Sequence, residues 1–173
     1  MLTRTIGHGL EIREDGNGRT LVGLAVPYDV PTRVGPYVET MARGVFADAT
    51  ADPSTIKVLA AHDHEALPIG RAVDLTETRD GLRAELLVSD TAAGRDVLTL
   101  VRDGVATGLS VGFVPLEDEW SPDRSAVTRT RAQLMEISVV TWPAYPDAQI
   151  AAVRHALAEP HRRLMAARMR SGR

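Results

Sequence analysis

Short apolar runs, each closed by a break rich in glycine, proline or acidic residues, set the limits on what this chain can fold into. "TLVGLAVPY" (20–28), "TIKVLAAH" (55–62), "LRAELLVS" (82–89), "VATGLSVGFVPL" (105–116) and "AQLMEISVVTW" (132–142) are the clearest. Runs of this length, rich in Val, Ile, Leu and Thr and bounded by turn residues, read as strands. None approaches the roughly 20 apolar residues of a membrane helix. The start of the chain, "MLTRTIGHGLEIRE", lacks the apolar segment of a signal peptide. The expectation is a soluble, cytoplasmic chain that does not enter a membrane.

The punctuation between runs fills in the rest. Residues 4–28 read as two strands around the turn "EDGNGR" (14–19), the second ended by Pro27. "PTRVGP" (31–36) reads as a loop, "YVETMA" as a short strand and "GVFADAT" (44–50) as a short helix. "RDG" (79–81) between two apolar runs is a hairpin signal. Residues 90–104 carry the clearest helix pattern, with Asp90 or Thr91 as cap, Val97, Leu98 and Val101 on one face and Gly104 at the end. "EDEWSPDRSAV" (117–127) reads as a polar loop, and residues 147–159 as a helix capped by Asp147. Many strands and few helices predict an α+β domain that is β-rich, a closed or partly closed barrel with a few flanking helices. At 173 residues one domain is expected. Aromatics make up only 4%, so its core must rest on Val, Leu, Ile and Ala.

Charge divides the chain. Residues 150–173 hold six Arg and one Glu, whereas the remainder holds 14 basic and 22 acidic residues. This predicts a domain over 1–155 and a basic tail over 156–173. The chain has no cysteine, which excludes disulfides, a thiol nucleophile and thiolate metal sites.

Three polar residues interrupt the apolar strands. Alternation puts Leu109, Val111 and Phe113 on one face of their strand, and Ala106, Gly108, Ser110 and Gly112 on the other. The second face offers little except the Ser110 hydroxyl. Either another element packs tightly there, or the hydroxyl is open to a peptide carbonyl. The pattern G-x-S-x-G also matches the nucleophile elbow of α/β-hydrolases, but that elbow turns into a helix and this run continues as strand. Glu136 shares a face with Ser138 and Val140, opposite Met135, Ile137 and Val139. A buried carboxylate needs a partner; a solvent-facing position on a half-exposed sheet needs none. His62 ends its strand. It is either structural, or a metal ligand with His64 two residues on, or a base. The single lysine, Lys57, has the opposite parity to His62, so a serine nucleophile would depend on histidine.

Taken together these stretches resemble the prohead (capsid maturation) serine proteases of tailed bacteriophages, relatives of the herpesvirus assemblins. "GLAVPYDVPT" and "VETMARGVFADA" are similar to the family's first block, "AAHDHEALPIGRA" to its histidine block, "GLSVGF" to its serine block and "LMEISVVTWPAYPDA" to its closing block. The resemblance covers roughly residues 4–155. It implies a herpesvirus-protease-like fold, with Ser110 as nucleophile, His62 as general base and Glu136 as third member. In assemblins the third member is a second histidine, which makes His64 the alternative and Asp63 a weaker one. No cofactor or metal is implied. The implied substrates are scaffold, the scaffolding segment of the major capsid protein and the enzyme itself, inside the immature prohead in the bacterial cytoplasm. Specific nucleic-acid binding is not expected, and a homo-oligomer is left open. The basic tail is then either a cleavable segment that docks on acidic scaffold or capsid surfaces, or a plain solvated helix. Two other classes stand beside this one. One is a non-enzymatic capsid-assembly or scaffolding factor of the same fold; the other is a metal-dependent hydrolase using His62 and His64.

Overall fold

A computed structural model describes residues 2–6, 10–13 and 18–142, with backbone alone for 2–6, 11 and 13. The helix expected over 147–159, the basic tail and the boundary at 155/156 lie outside the described residues. In chain order the strands are β1 (Leu2–Ile6), β2 (Glu11–Arg13), β3 (Thr20–Pro27), β4 (Thr32–Val34), β5 (Tyr37–Met41), β6 (Lys57–Ala60), β7 (Gly70–Glu77), β8 (Gly81–Val88), β9 (Gly108–Trp120) and β10 (Ala126–Val140). Helix α1 (Ala47–Thr50) and a 3₁₀ turn (Pro53–Thr55) lie between β5 and β6, and α2 (Ala92–Arg102) between β8 and β9.

All ten strands belong to one sheet, whose main path runs β1-β9-β10-β6-β7-β8-β3-β2. Bulges between Leu24 and Val26 and between Ala72 and Asp74 break the ladders of β3 and β7 with β8. Extra residues of this kind bend and twist a strand. The sheet curls far enough that a methyl group on Gly23 of β3 would stand 3.1 Å from Leu109 Cδ1 of β9. The result is a partly closed barrel, as expected. Its core is aliphatic, with Leu21, Val58, Leu82, Leu86, Val111 and Ile137 fully buried. Phe46 and Phe113, the only two phenylalanines of the chain, meet edge to face at 5.7 Å. Burying each such side chain contributes about 1.5–3 kcal/mol.

Helix α2 closes one side with Val97, Leu98 and Val101 buried. Its cap is Thr91, whose hydroxyl accepts from the Gly94 N–H at 3.1 Å; Asp90 instead pairs with Arg95. Four sequence expectations are corrected. The first segment holds three strands, not two, and "PTRV" contributes the short strand β4. Strand β6 stops at Ala60, two residues short of His62. The polar loop expected over 117–127 shrinks to 121–125, because β9 and β10 continue through it as a long hairpin. There Asp118 is opposite Arg129, and Glu117 opposite Arg131. Cross-strand pairs of opposite charge stabilise a ladder as apolar pairs do.

Strand β10 is the hub. Its whole length pairs antiparallel with β9. On the other edge its first part pairs parallel with β5 and its last part parallel with β6. Between them the chain leaves the sheet to form α1 and the 3₁₀ turn, and the Ala132 N–H donates to the Val45 carbonyl at 2.9 Å. That crossover is what brings β6, and the residue that follows it, alongside the last part of β10.

Candidate active site

Register decides which side chains can meet. Ser138 of β10 is directly opposite Ser110 of β9, and Glu136 is opposite Gly112. On the other edge Glu136 pairs with Lys57 and Ser138 with Leu59. Leu134 and Ile137 are both core residues although an odd number of positions separates them, because the ladder shifts between Leu134 and Glu136. Met135 is the extra residue of this bulge and is 41% exposed. The expectation that it shares a face with Ile137 and Val139 is therefore corrected. Beyond the bulge, Ile137 and Val139 face the core, and Glu136 and Ser138 lie on the same outer face as Ser110 and Gly112.

His62 arrives from β6 by a tight turn. The Ala61 N–H donates to the Val139 carbonyl at 2.9 Å, extending the ladder by one bond. Ala61 and His62 then both take left-handed backbone, with φ of 51° and 59°. For residues with a side chain this costs about 1–2 kcal/mol each. The turn carries the imidazole back over the outer face of β10 and β9. The His62 N–H donates to Ser138 Oγ at 3.1 Å, which gives the strained peptide a partner inside the sheet.

The imidazole bridges two groups. Nδ1 lies 2.7 Å from Glu136 Oε1, and Nε2 lies 2.5 Å from Ser110 Oγ. A carboxylate can only accept, so Nδ1 carries the proton. Nε2 then presents a lone pair, and the Ser110 hydroxyl donates to it. The second carboxylate oxygen, Oε2, accepts from the Ser138 hydroxyl at 2.7 Å. Glu136, Ser138 and Ser110 are buried, while the His62 side chain is 20% exposed and is the part of the chain of bonds that reaches solvent. This accounts for a carboxylate in the middle of an apolar strand. The charge is taken out of water but has a donor on each oxygen.

The small-residue face of β9 also has its reason. A methyl group on Gly112 would stand 2.4 Å from Glu136 Oε1. No real Cβ approaches so closely, so the second glycine of "GLSVG" is the slot into which the carboxylate fits. Alternation had put Ser138 beside Glu136 without giving it a part. Its bond from the His62 N–H depends on the left-handed turn, which nothing in the local sequence announces.

The other candidates stand apart. His64 is exposed and makes no hydrogen bond among the described residues. Asp63 Oδ1 accepts from the N–H groups of Glu65 and Ala66 at 3.0 and 3.1 Å, shaping the loop after His62. Lys57 Nζ reaches the Ser54 carbonyl at 3.4 Å. Among the described residues no group of three His, Cys, Asp or Glu side chains could hold a metal ion. Both ring nitrogens of His62 are already engaged.

Such an arrangement can take a proton from a serine hydroxyl and return it to a leaving group. A sequence profile of the caudovirus prohead serine proteases matches residues 8–163 of this chain. The prohead protease of Escherichia phage T5 is 32% identical over 90 residues, 52% of this chain and 42% of its own length. The prohead protease of Enterobacteria phage HK97 is 33% identical over 116 residues, 64% of this chain and 51% of its own length. The matches thus span about half, or somewhat less, of the curated relatives. Among solved structures, the capsid assembly protease of bacteriophage T4 is similar with a TM-score of 0.60, over 82% of this chain and 97% of that one. At 10% identity this is a likeness of fold.

Proposed function

Because the chain belongs to the caudovirus prohead serine proteases, we propose that it is a serine endopeptidase of capsid maturation, with Ser110 as nucleophile, His62 as general base and acid, and Glu136 as the residue that orients His62. The observation that carries this reading is the unbroken chain of bonds from Glu136 through His62 to Ser110.

In this reading the reaction is that of a serine nucleophile with a histidine base. Ser110 Oγ attacks the scissile carbonyl carbon as its proton passes to His62 Nε2. The imidazolium is stabilised by Glu136 Oε1 on the Nδ1 side. His62 then gives the Nε2 proton to the leaving amine, the C–N bond breaks and an acyl ester remains on Ser110. Water enters, loses a proton to Nε2 and attacks the ester, and Ser110 leaves with that proton. The cycle balances on these residues, the peptide and water.

In this reading the substrates are the scaffold, or the scaffolding segment of the major capsid protein, and the enzyme itself. The place of action is the interior of the immature prohead in the bacterial cytoplasm. Residues 156–173 act as a cleavable docking segment for acidic surfaces of that interior.

The test is co-expression with the capsid protein precursor of the same phage. The wild-type chain should shorten the precursor. Ser110→Ala should leave it whole while keeping the circular dichroism and melting temperature of the parent, since loss of a triad member costs roughly 10⁴–10⁶ in rate. A folded Ser110→Ala protein that still shortens the precursor refutes the assignment. Intact precursor with both proteins points to an assembly factor that has the fold without the activity.

A further inference from the structure

We infer that Ser138 is a positioning residue of the relay, whose hydroxyl locks the Glu136 carboxylate and the left-handed His62 turn to one another and so holds Nε2 on Ser110. The inference rests on the assignment of Ser110 and His62 as nucleophile and base.

A serine hydroxyl has one proton to give and lone pairs to share. Here the proton goes to Glu136 Oε2, at 2.7 Å, and a lone pair takes the His62 N–H, at 3.1 Å. One buried oxygen is thereby bonded to the side chain of the acid and to the backbone of the base. These two partners otherwise meet only through the imidazole, at Nδ1 and Glu136 Oε1. The hydroxyl also sits on the rung of the sheet that carries the nucleophile, since Ser138 is opposite Ser110. Its removal would leave a buried carboxylate oxygen without a donor and a strained peptide N–H without an acceptor. The carboxylate would then be free to rotate about its Cγ–Cδ bond. The His62 turn would be free to relax toward ordinary backbone, and either motion draws Nε2 off Ser110. A serine that merely filled space would tie together neither pair.

The experiment uses the full chain and a fluorophosphonate probe, which reports the nucleophilicity of a serine without any need for the protein substrate. Ser138→Ala should lower the rate constant of labelling by about 10–100-fold, the size of loss typical when a hydrogen-bond partner that orients a metal-ligating side chain is removed. Ser138→Thr keeps the hydroxyl and should recover labelling to within a few-fold of wild type. In a Ser110→Ala background the low-field proton resonance of His62 Nδ1–H should shift or broaden with Ser138→Ala and persist with Ser138→Thr. If Ser138→Ala does not fold, Ser138→Cys, close in size and a much weaker donor, replaces it with the same expectations. Labelling at the wild-type rate with an unchanged Nδ1–H resonance in the folded variant without the hydroxyl overturns the inference. So does a folded Ser138→Thr as slow as Ser138→Ala. Labelling of Ser110→Ala at the wild-type rate would instead overturn the nucleophile assignment itself.

Discussion

Arg129 and Glu136 lie seven positions apart on β10, and both are buried ionisable residues in hydrogen-bonded clusters. Beside β5, Arg129 donates through Nε to Glu39 Oε1 at 2.7 Å and through Nη1 to Asp118 Oδ2 at 2.5 Å. Its guanidinium lies 5.9 Å from the centre of the Trp120 ring, which meets Tyr37 edge-on at 5.3 Å. Beside β6, Glu136 holds His62, which holds Ser110. In the first cluster the middle member is a guanidinium, which keeps its protons at any pH a protein survives. Its side chain is 4% exposed, and its bonds end in two carboxylates. In the second the middle member is an imidazole, 20% exposed, which can take up a proton and give it back. Its bonds end in a hydroxyl. Burial of charge is common to both clusters. What sets the second apart, and supports the catalytic role proposed for it, is a middle member that can change its protonation and a hydroxyl at the end of the chain.

Substitutions at the two clusters should fail in different ways. Glu136→Gln keeps size but removes the charge opposite the imidazolium. The rate of peptide cleavage, or of labelling by a fluorophosphonate, should fall by at least about 10²-fold with little change in melting temperature. His64→Ala should leave the rate within a few-fold of wild type. The reverse ranking would move the third role to His64 and make Glu136 a structural residue. Arg129→Met should behave in the opposite sense, leaving the Glu39 carboxylate buried without its cation. Thermal or urea unfolding should show a loss of about 3–5 kcal/mol, while the labelling rate per folded molecule stays near wild type. A large loss of rate in a folded Arg129→Met protein would break the contrast. Gly112→Ala tests the slot directly. The added methyl should displace the carboxylate and cost of order 10-fold in labelling rate, with a smaller loss of stability than at Arg129. Full activity would show that Glu136 can stand elsewhere. The smallest effect is expected from chelation: EDTA should leave the rate unchanged. A loss that zinc restores would return His62 and His64 to the metal-ligand reading.

Much of the second cluster was legible in the sequence, and almost none of the first. Alternation along "GLSVGF" and "EISVV" put Ser110, Glu136 and Ser138 on faces away from Leu109, Val111, Ile137 and Val139, because side chains alternate within any unbroken stretch of strand. The odd residues stood out against apolar neighbours. The bulge at Met135 was not legible, since one extra residue leaves no mark in composition and merely inverts the parity of everything before it. Nor was the left-handed turn at Ala61 and His62, where neither residue is the glycine that such backbone favours. Arg129, Glu39 and Asp118 were hidden for the opposite reason. "EDEWSPDRSAV" reads as a polar loop until "EDEW" and "TRTR" are laid side by side, and their ladder depends on a register that no single stretch contains.

The parallel pairing of β10 with both β5 and β6 has a consequence in time. Residues 62, 110 and 136 become neighbours only when the last described strand is inserted between β9 and strands made some eighty positions earlier. Contacts so distant along the chain close slowly, and domains dominated by them fold in milliseconds to seconds rather than microseconds. A ribosome adding about 5–20 residues per second releases β6 well before β10, and until β10 arrives His62 has neither its acid nor its serine. In the proposed reading the nascent chain is thus silent by topology. A first hydrolytic turnover on these residues would wait for the step that closes the sheet, and any variant that slows β10 docking should lengthen the lag before activity without altering the rate finally reached.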